Sequence, residues 1–225
     1  MPYSGRENKT PITGAIFDCD GTLLDSIGAW LSLQDSLAAQ VDVVLTPQEV
    51  SHANALTLPE TAQFFHERFG LGASPQEVLG IINETMYFQY ENKVVARTGA
   101  LDFVKALHER GVKCGVASAT SPKLLYRALE VGGFTPYLDA IVSVDDVGAS
   151  KREPTVYDRA RELMGTPKES TWVFEDARYA LDTLIAAGYL TVGVYDHDES
   201  GTLEELSVAH VVIKDFHSPN LLQFL

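Results

Sequence analysis

Six short runs along the chain are almost continuously apolar: TGAIFD (13–18), VKCGVAS (112–118), AIVSV (140–144), TWVFE (171–175), LTVGVY (190–195) and AHVVI (209–213). A strand covered on both faces reads this way, because neither face can stay polar. Between the later runs, apolar residues recur at three- and four-residue spacing over 99–110, 121–132, 153–164 and 177–188. That is the period of a helix with one buried side. The first three of these segments run into Gly111, Gly132 and Gly165, and the fourth ends on Gly188, a stop signal in each case.

One interval breaks the alternation. Between the first strand and the second lie nearly a hundred residues with helical spacing and little strand signal, including TAQFFHERF and PQEVLGIINETMYFQYENKVV. Pro47, Pro59 and Pro75 stand where helices can begin. The pattern therefore predicts an α/β fold, a Rossmann-like parallel sheet core with helices on both faces and a small helical domain inserted after the first strand. The expected core is 1–25 with 97–225, and the expected insertion is 26–96.

Composition changes this picture mainly by exclusion. The 225 residues are 45% hydrophobic and 21% charged, the proportions of an ordinary globular protein. A net charge of −14 argues against nucleic acid and anionic membrane as partners, which both want basic patches. The polar start MPYSGRENKT lacks the apolar core of a signal peptide, and no apolar stretch is long enough to span a membrane. Cys19 and Cys114 form no CxxC pair, which points to a reducing, cytoplasmic setting.

The candidate chemistry lies at the carboxyl ends of the strands, where open α/β sheets place their ligands. Strand one ends in Asp18 and Asp20; period-two alternation points both to one side, with Cys19 opposite. Strand two ends in Ser118, followed by Thr120; Lys151 follows the third run; Glu175 and Asp176 end the fourth. Carboxylates, a hydroxyl and one ammonium in one crevice are what phosphoryl transfer through a carboxylate nucleophile needs. Hard oxygen donors at fixed positions also suit Mg²⁺.

The stretch DCDGTLLDS resembles the first motif, DxDGTLxDS, of the haloacid dehalogenase-like hydrolase superfamily. At average usages of roughly 5–8% per residue type, six such identities arise by chance in fewer than about one in a million windows. GVASAT resembles the second motif, SKREP the third, and WVFEDARYALDTLIAAGY the fourth, all in family order. The resemblance implies that Asp18 is the nucleophile and a metal ligand. It implies that Asp20 is the general acid and then the base, with its backbone carbonyl on the metal. Ser118 and Lys151 would bind the transferred phosphoryl group, and Asp176 with Glu175 would complete a Mg²⁺ site. The helical insertion is similar in placement to the cap of the β-phosphoglucomutase-like branch, which closes over the site.

An acid two residues after the nucleophile separates phosphate-ester chemistry from the family's dehalogenases. The implied activity is Mg²⁺-dependent phosphatase action on a small phosphorylated metabolite, through an aspartyl-phosphate. The alternatives are a phosphosugar mutase and, behind it, a non-catalytic phosphate-ligand binding protein. A mutase needs a basic cap residue for the distal phosphate, and VSHANALTLPETA holds neither Lys nor Arg. The chain departs from the branch at Arg152, where Pro is usual, at Ala177 and Arg178, where Ser is common, and at Ala180, which replaces a Gly. Either arginine is a candidate for substrate contact. In the insertion, Trp30, His52, Asn54 and Thr57 are equally well read as packing or surface residues.

Overall fold

Gly14–Phe17 (β1), buried at every position, lies inside a six-stranded sheet. In this computed structural model residues 12–53, 56–196 and 202–224 are described. After β1 comes a two-residue strand, Leu24–Asp25 (β2), which pairs antiparallel with Val95–Ala96 (β3). Between them run helices Ile27–Leu31 (α1), Leu33–Ala39 (α2), Pro47–Ala53 (α3), Leu58–Phe69 (α4) and Pro75–Asn92 (α5). The rest alternates: Ala100–Glu109 (α6), Lys113–Ser118 (β4), Pro122–Val131 (α7), Ala140–Ser143 (β5), Val144–Val147 (α8), Thr155–Met164 (α9), Thr171–Glu175 (β6), Arg178–Ala186 (α10), Leu190–Val194 (β7), Leu203–Leu206 (α11) and Val211–Ile213 (β8).

The sheet order is β5–β4–β1–β6–β7–β8, with every neighbouring pair parallel. The chain winds from β1 through β4 to β5, then returns past β1 to β6 and outward to β8. Winding reverses at β1, so the crevice beyond its carboxyl end is the topological switch point. Register sets the two faces, with Ile16 beside Val173 and Phe17 beside Phe174. Ile16 and Val173 join Val156, Tyr157, Ala160 and Met164 of α9 and Leu184 of α10 in one buried cluster. On the other face Phe17 stacks on Phe174 at 4.6 Å, and Phe103 of α6 meets Phe17 edge-on at 6.4 Å. Helices thus cover both faces, and each fully buried large apolar side chain contributes roughly 1.5–3 kcal/mol.

Five of the six apolar runs overreach their strands by one or two residues, and at two of these ends side chains show the cause. AIVSV stops as a strand at Ser143, whose hydroxyl accepts from Asp145 N while its own N–H donates to Asp146. This capping box turns the chain into α8 at Val144. AHVVI pairs only from Val211, because His210 Nδ1 is instead engaged by Thr191 N–H at 3.2 Å. Gly132 is right-handed, and Gly133, at φ 78°, is the left-handed residue after α7.

The chain separates into two compact units, the described parts of Met1–Asp25 with Val95–Leu225, and Ser26–Val94. The second is helical. Thr57 caps α4 by accepting from Glu60 N, while the Glu60 carboxylate accepts from Thr57 N, with Pro59 in the first turn. Trp30 Nε1 donates to Tyr90 Oη at 3.2 Å, and His52 meets Phe64 edge-on at 5.0 Å. Asn54 lies outside the described residues. Among the described residues, no helix is long and apolar enough to cross a membrane.

Candidate active site

Asp18 follows β1 directly, and its backbone N–H donates to Phe174 O at 2.9 Å, holding it on the sheet frame. The chain then turns tightly: Gly21 N donates to Leu24 O, and Leu23 N and Leu24 N both donate to Cys19 O. Gly21 sits at φ 86°, a conformation that a residue with a Cβ adopts only under strain. The turn puts Asp20 at a half-buried position and folds the Cys19 thiol inward, fully buried. Burial pushes that thiol well above its ordinary range, with Asp20 and Asp18 adding to the effect, so it is no nucleophile.

Four of the residues singled out from the sequence meet here. Lys151 Nζ donates to Asp18 Oδ1 and, at 2.5 Å, to Glu175 Oε1. One carboxylate oxygen each of Asp18, Glu175 and Asp176 lie within 4.8 Å of one another, and all three residues are buried. Three buried carboxylates against one ammonium form a set of hard oxygen donors that could hold a divalent cation. Burial pushes the Asp18 carboxyl up to about 7; the Lys151 ammonium works against the shift, and Glu175 and Asp20 add to it. Burial and the neighbouring Glu175 and Asp18 likewise raise Asp176 well above the usual carboxylate range. Burial opposes the charge on Lys151, but Asp18 and Glu175 outweigh it and hold the ammonium well above its ordinary value.

Asp20 and Ser118 join through Thr120. Thr120 Oγ1 donates to Asp20 Oδ2 at 2.6 Å, and its backbone N–H donates to Ser118 Oγ at 3.0 Å. Ser143 Oγ in turn donates to Thr120 O at 2.8 Å. The next residue, Ser121, takes the N-cap position of α7. Tyr157 was not singled out from the sequence. From α9 its hydroxyl donates to Glu175 Oε1 at 2.9 Å, while Ala177 N donates to Glu175 Oε2 at 3.0 Å. The Glu175 carboxylate is thus fixed from three sides. No sequence signal marks Tyr157, because it occupies an apolar position of an amphipathic helix. Of the two candidate arginines, Arg178 pairs with Asp182 and donates to Glu205 O, whereas Arg152 lies over the Tyr179 ring at 4.9 Å.

The haloacid dehalogenase-like hydrolase profile matches residues 15–194, from β1 to the end of β7. This chain is a haloacid dehalogenase-like hydrolase. The pyrophosphatase PpaX of Listeria monocytogenes is 24% identical to this hydrolase over 188 residues, covering 81% of this chain and 83% of the relative. The structure of CbbY from Rhodobacter sphaeroides in complex with phosphate superposes with a TM-score of 0.75 at 20% identity, covering 91% of this chain and 95% of the other. A β-phosphoglucomutase from Clostridium difficile gives 0.72 at 18% identity, covering 94% and 96%. At these identities the structural likeness establishes the fold alone.

Proposed function

We propose that this hydrolase is a Mg²⁺-dependent phosphatase acting on a small phosphorylated metabolite through an aspartyl-phosphate on Asp18. The observation that carries the reading is the Asp18 carboxylate held by Lys151 beside Glu175 and Asp176, with Asp20 two residues away and fixed by Thr120. Asp18 Oδ attacks phosphorus as the ester bond to the leaving oxygen breaks, and Asp20 supplies that oxygen with a proton. Asp20 then takes a proton from water, whose oxygen attacks phosphorus and releases phosphate and free Asp18. Lys151 and the Ser118 hydroxyl neutralise and orient the non-bridging oxygens. The carboxylates of Asp18, Glu175 and Asp176 and the backbone carbonyl of Asp20 would hold Mg²⁺, which would supply Lewis-acid neutralisation of phosphoryl charge when bound.

The relatives support a phosphoryl substrate: one carries the name pyrophosphatase, and CbbY has been crystallised with phosphate and with xylulose-1,5-bisphosphate. The helical unit Ser26–Val94 is the proposed cap, and the buried free thiols Cys19 and Cys114 fit a cytoplasmic setting. A panel of phosphorylated metabolites, assayed for phosphate release with and without Mg²⁺, tests the reading. Wild type releases phosphate only with Mg²⁺, and Asp18→Asn releases none. Turnover that survives Asp18→Asn overturns the nucleophile; isomerisation dependent on a bisphosphate, with little phosphate release, makes the protein a mutase.

A further inference from the structure

Arg97 follows β3, and its side chain is only 9% exposed. Nη1 donates to Gly21 O at 3.0 Å and forms an ion pair with the Asp196 carboxylate. Nη2 donates to Tyr195 O at 2.8 Å and Lys214 O at 3.0 Å. The backbone N–H of the same residue donates to Leu23 O at 2.9 Å. One residue therefore grips the Cys19–Leu24 turn at two carbonyls and fastens it to the chain just beyond β7 and β8.

A buried guanidinium is a costly way to fill space, since it must be desolvated and every donor matched. Its planar fork supplies what an apolar or ammonium side chain cannot, a fixed spacing among several acceptors at once. Here the acceptors are the carbonyl that follows Asp20 and the carbonyls one residue past the ends of two sheet strands. Thr120 holds the Asp20 carboxylate itself. The Asp20 side chain is thus anchored by Thr120, and the backbone of the turn that follows it is anchored by Arg97 at Gly21 and Leu23.

We infer that Arg97 is a positioning residue for proton delivery by Asp20, fixing the backbone from which that carboxyl reaches the leaving oxygen. The inference rests on Asp20 being the general acid proposed above. A displacement of about 1 Å at a reacting group costs on the order of a hundredfold in rate. A loosened turn weakens the step that needs the proton and largely spares a leaving group that departs as a stable anion.

The test compares kcat/KM for glycerol 2-phosphate, whose alkoxide needs a proton, with that for p-nitrophenyl phosphate, whose phenolate does not. Arg97→Met is expected to lower the first by about 10- to 100-fold and the second by less than about threefold. Arg97→Lys, which restores charge without the fork, falls between wild type and Arg97→Met. Asp196→Asn leaves the guanidinium in place without its counter-charge, and it gives a smaller loss of the same selectivity even if the Arg97 variants do not fold. Asp20→Asn, measured alongside, shows the selectivity in full. Equal losses on both substrates in the Arg97 and Asp196 variants, beside a selective loss in Asp20→Asn, overturn the positioning role. Equal losses in Asp20→Asn itself overturn the reading of Asp20 beneath it.

Discussion

The carboxylate cluster makes a quantitative claim about Mg²⁺ and stability. Asp18, Glu175 and Asp176 place oxygens within 4.8 Å of one another. At that distance one pair of like charges repels by about 3.5 kcal/mol at an effective dielectric of 20. Lys151 forms its ion pairs with Asp18 and Glu175, so Asp176 carries the repulsion that the ammonium offsets least. A cation bound only by the folded state adds RT ln(1 + [L]/Kd), about 2.7 kcal/mol at a hundred times Kd. For a chain of 225 residues each kcal/mol moves Tm by roughly 2–4 °C. Saturating Mg²⁺ should therefore raise Tm by about 5–10 °C.

The assay is a thermal melt across 0–10 mM Mg²⁺ for wild type, Asp176→Asn and Lys151→Met. Asp176→Asn should melt higher than wild type without metal, because folding no longer has to protonate that carboxyl or bury its charge beside Glu175 and Asp18, and should show no Mg²⁺ shift. Lys151→Met should melt lower without metal, since removing one partner of a buried ion pair costs about 3–5 kcal/mol. A flat wild-type Tm up to 10 mM Mg²⁺ would refute the metal site. A full shift retained in Asp176→Asn would move the site elsewhere.

Three further predictions follow from single contacts. Thr120→Val keeps the branched shape but deletes the hydroxyl on Asp20, and steady-state kinetics should show kcat falling about tenfold with KM nearly unchanged. Tyr157→Phe leaves Glu175 Oε1 short of a buried donor and should cost about 1.5–3 kcal/mol in urea unfolding. The Thr57 hydroxyl and backbone N–H hold the Glu60 carboxyl below its usual range, so its contribution is present above the ordinary glutamate pKa and lost as pH falls through the lowered value. The Tm deficit of Glu60→Ala, clear at pH 7, should close toward pH 3.

Much of the sheet was legible because its strands are buried on both faces, which leaves a nearly continuous apolar run at β1, β4, β6 and β7. What escaped were the elements too short to have a period. β2 and β3 have two residues each, and neither shows alternation; their pairing is set by the antiparallel meeting of chain ends seventy positions apart in sequence. The helix α8 begins on the last residue of an apolar run, and only the Ser143–Asp146 capping box marks where strand becomes helix.

The same distinction divides the site. Asp18, Glu175 and Asp176 stand out in the sequence because charged groups at the ends of apolar strands are costly and need a reason, and Lys151 stands out through the SKREP motif. Asp20 and Ser118 were legible as types, but their connection through Thr120 was not, since a hydroxyl two residues past a strand serves a helix cap equally well. Arg97 and Tyr157 gave no local sign at all. Each acts through partners distant in sequence: Arg97 through Gly21, Tyr195 and Lys214, and Tyr157 through Glu175. Most of the groups proposed to touch substrate sit where the sheet delivers them, at or just past strand ends, with Lys151 coming from the loop between α8 and α9. Their supports can come from any surface that packs nearby, and so only the folded chain reveals them. The pairing of Arg97 with the Asp20 turn is the sharpest case, because the residue lies on the far side of a seventy-residue insertion and still sets the geometry of the first motif.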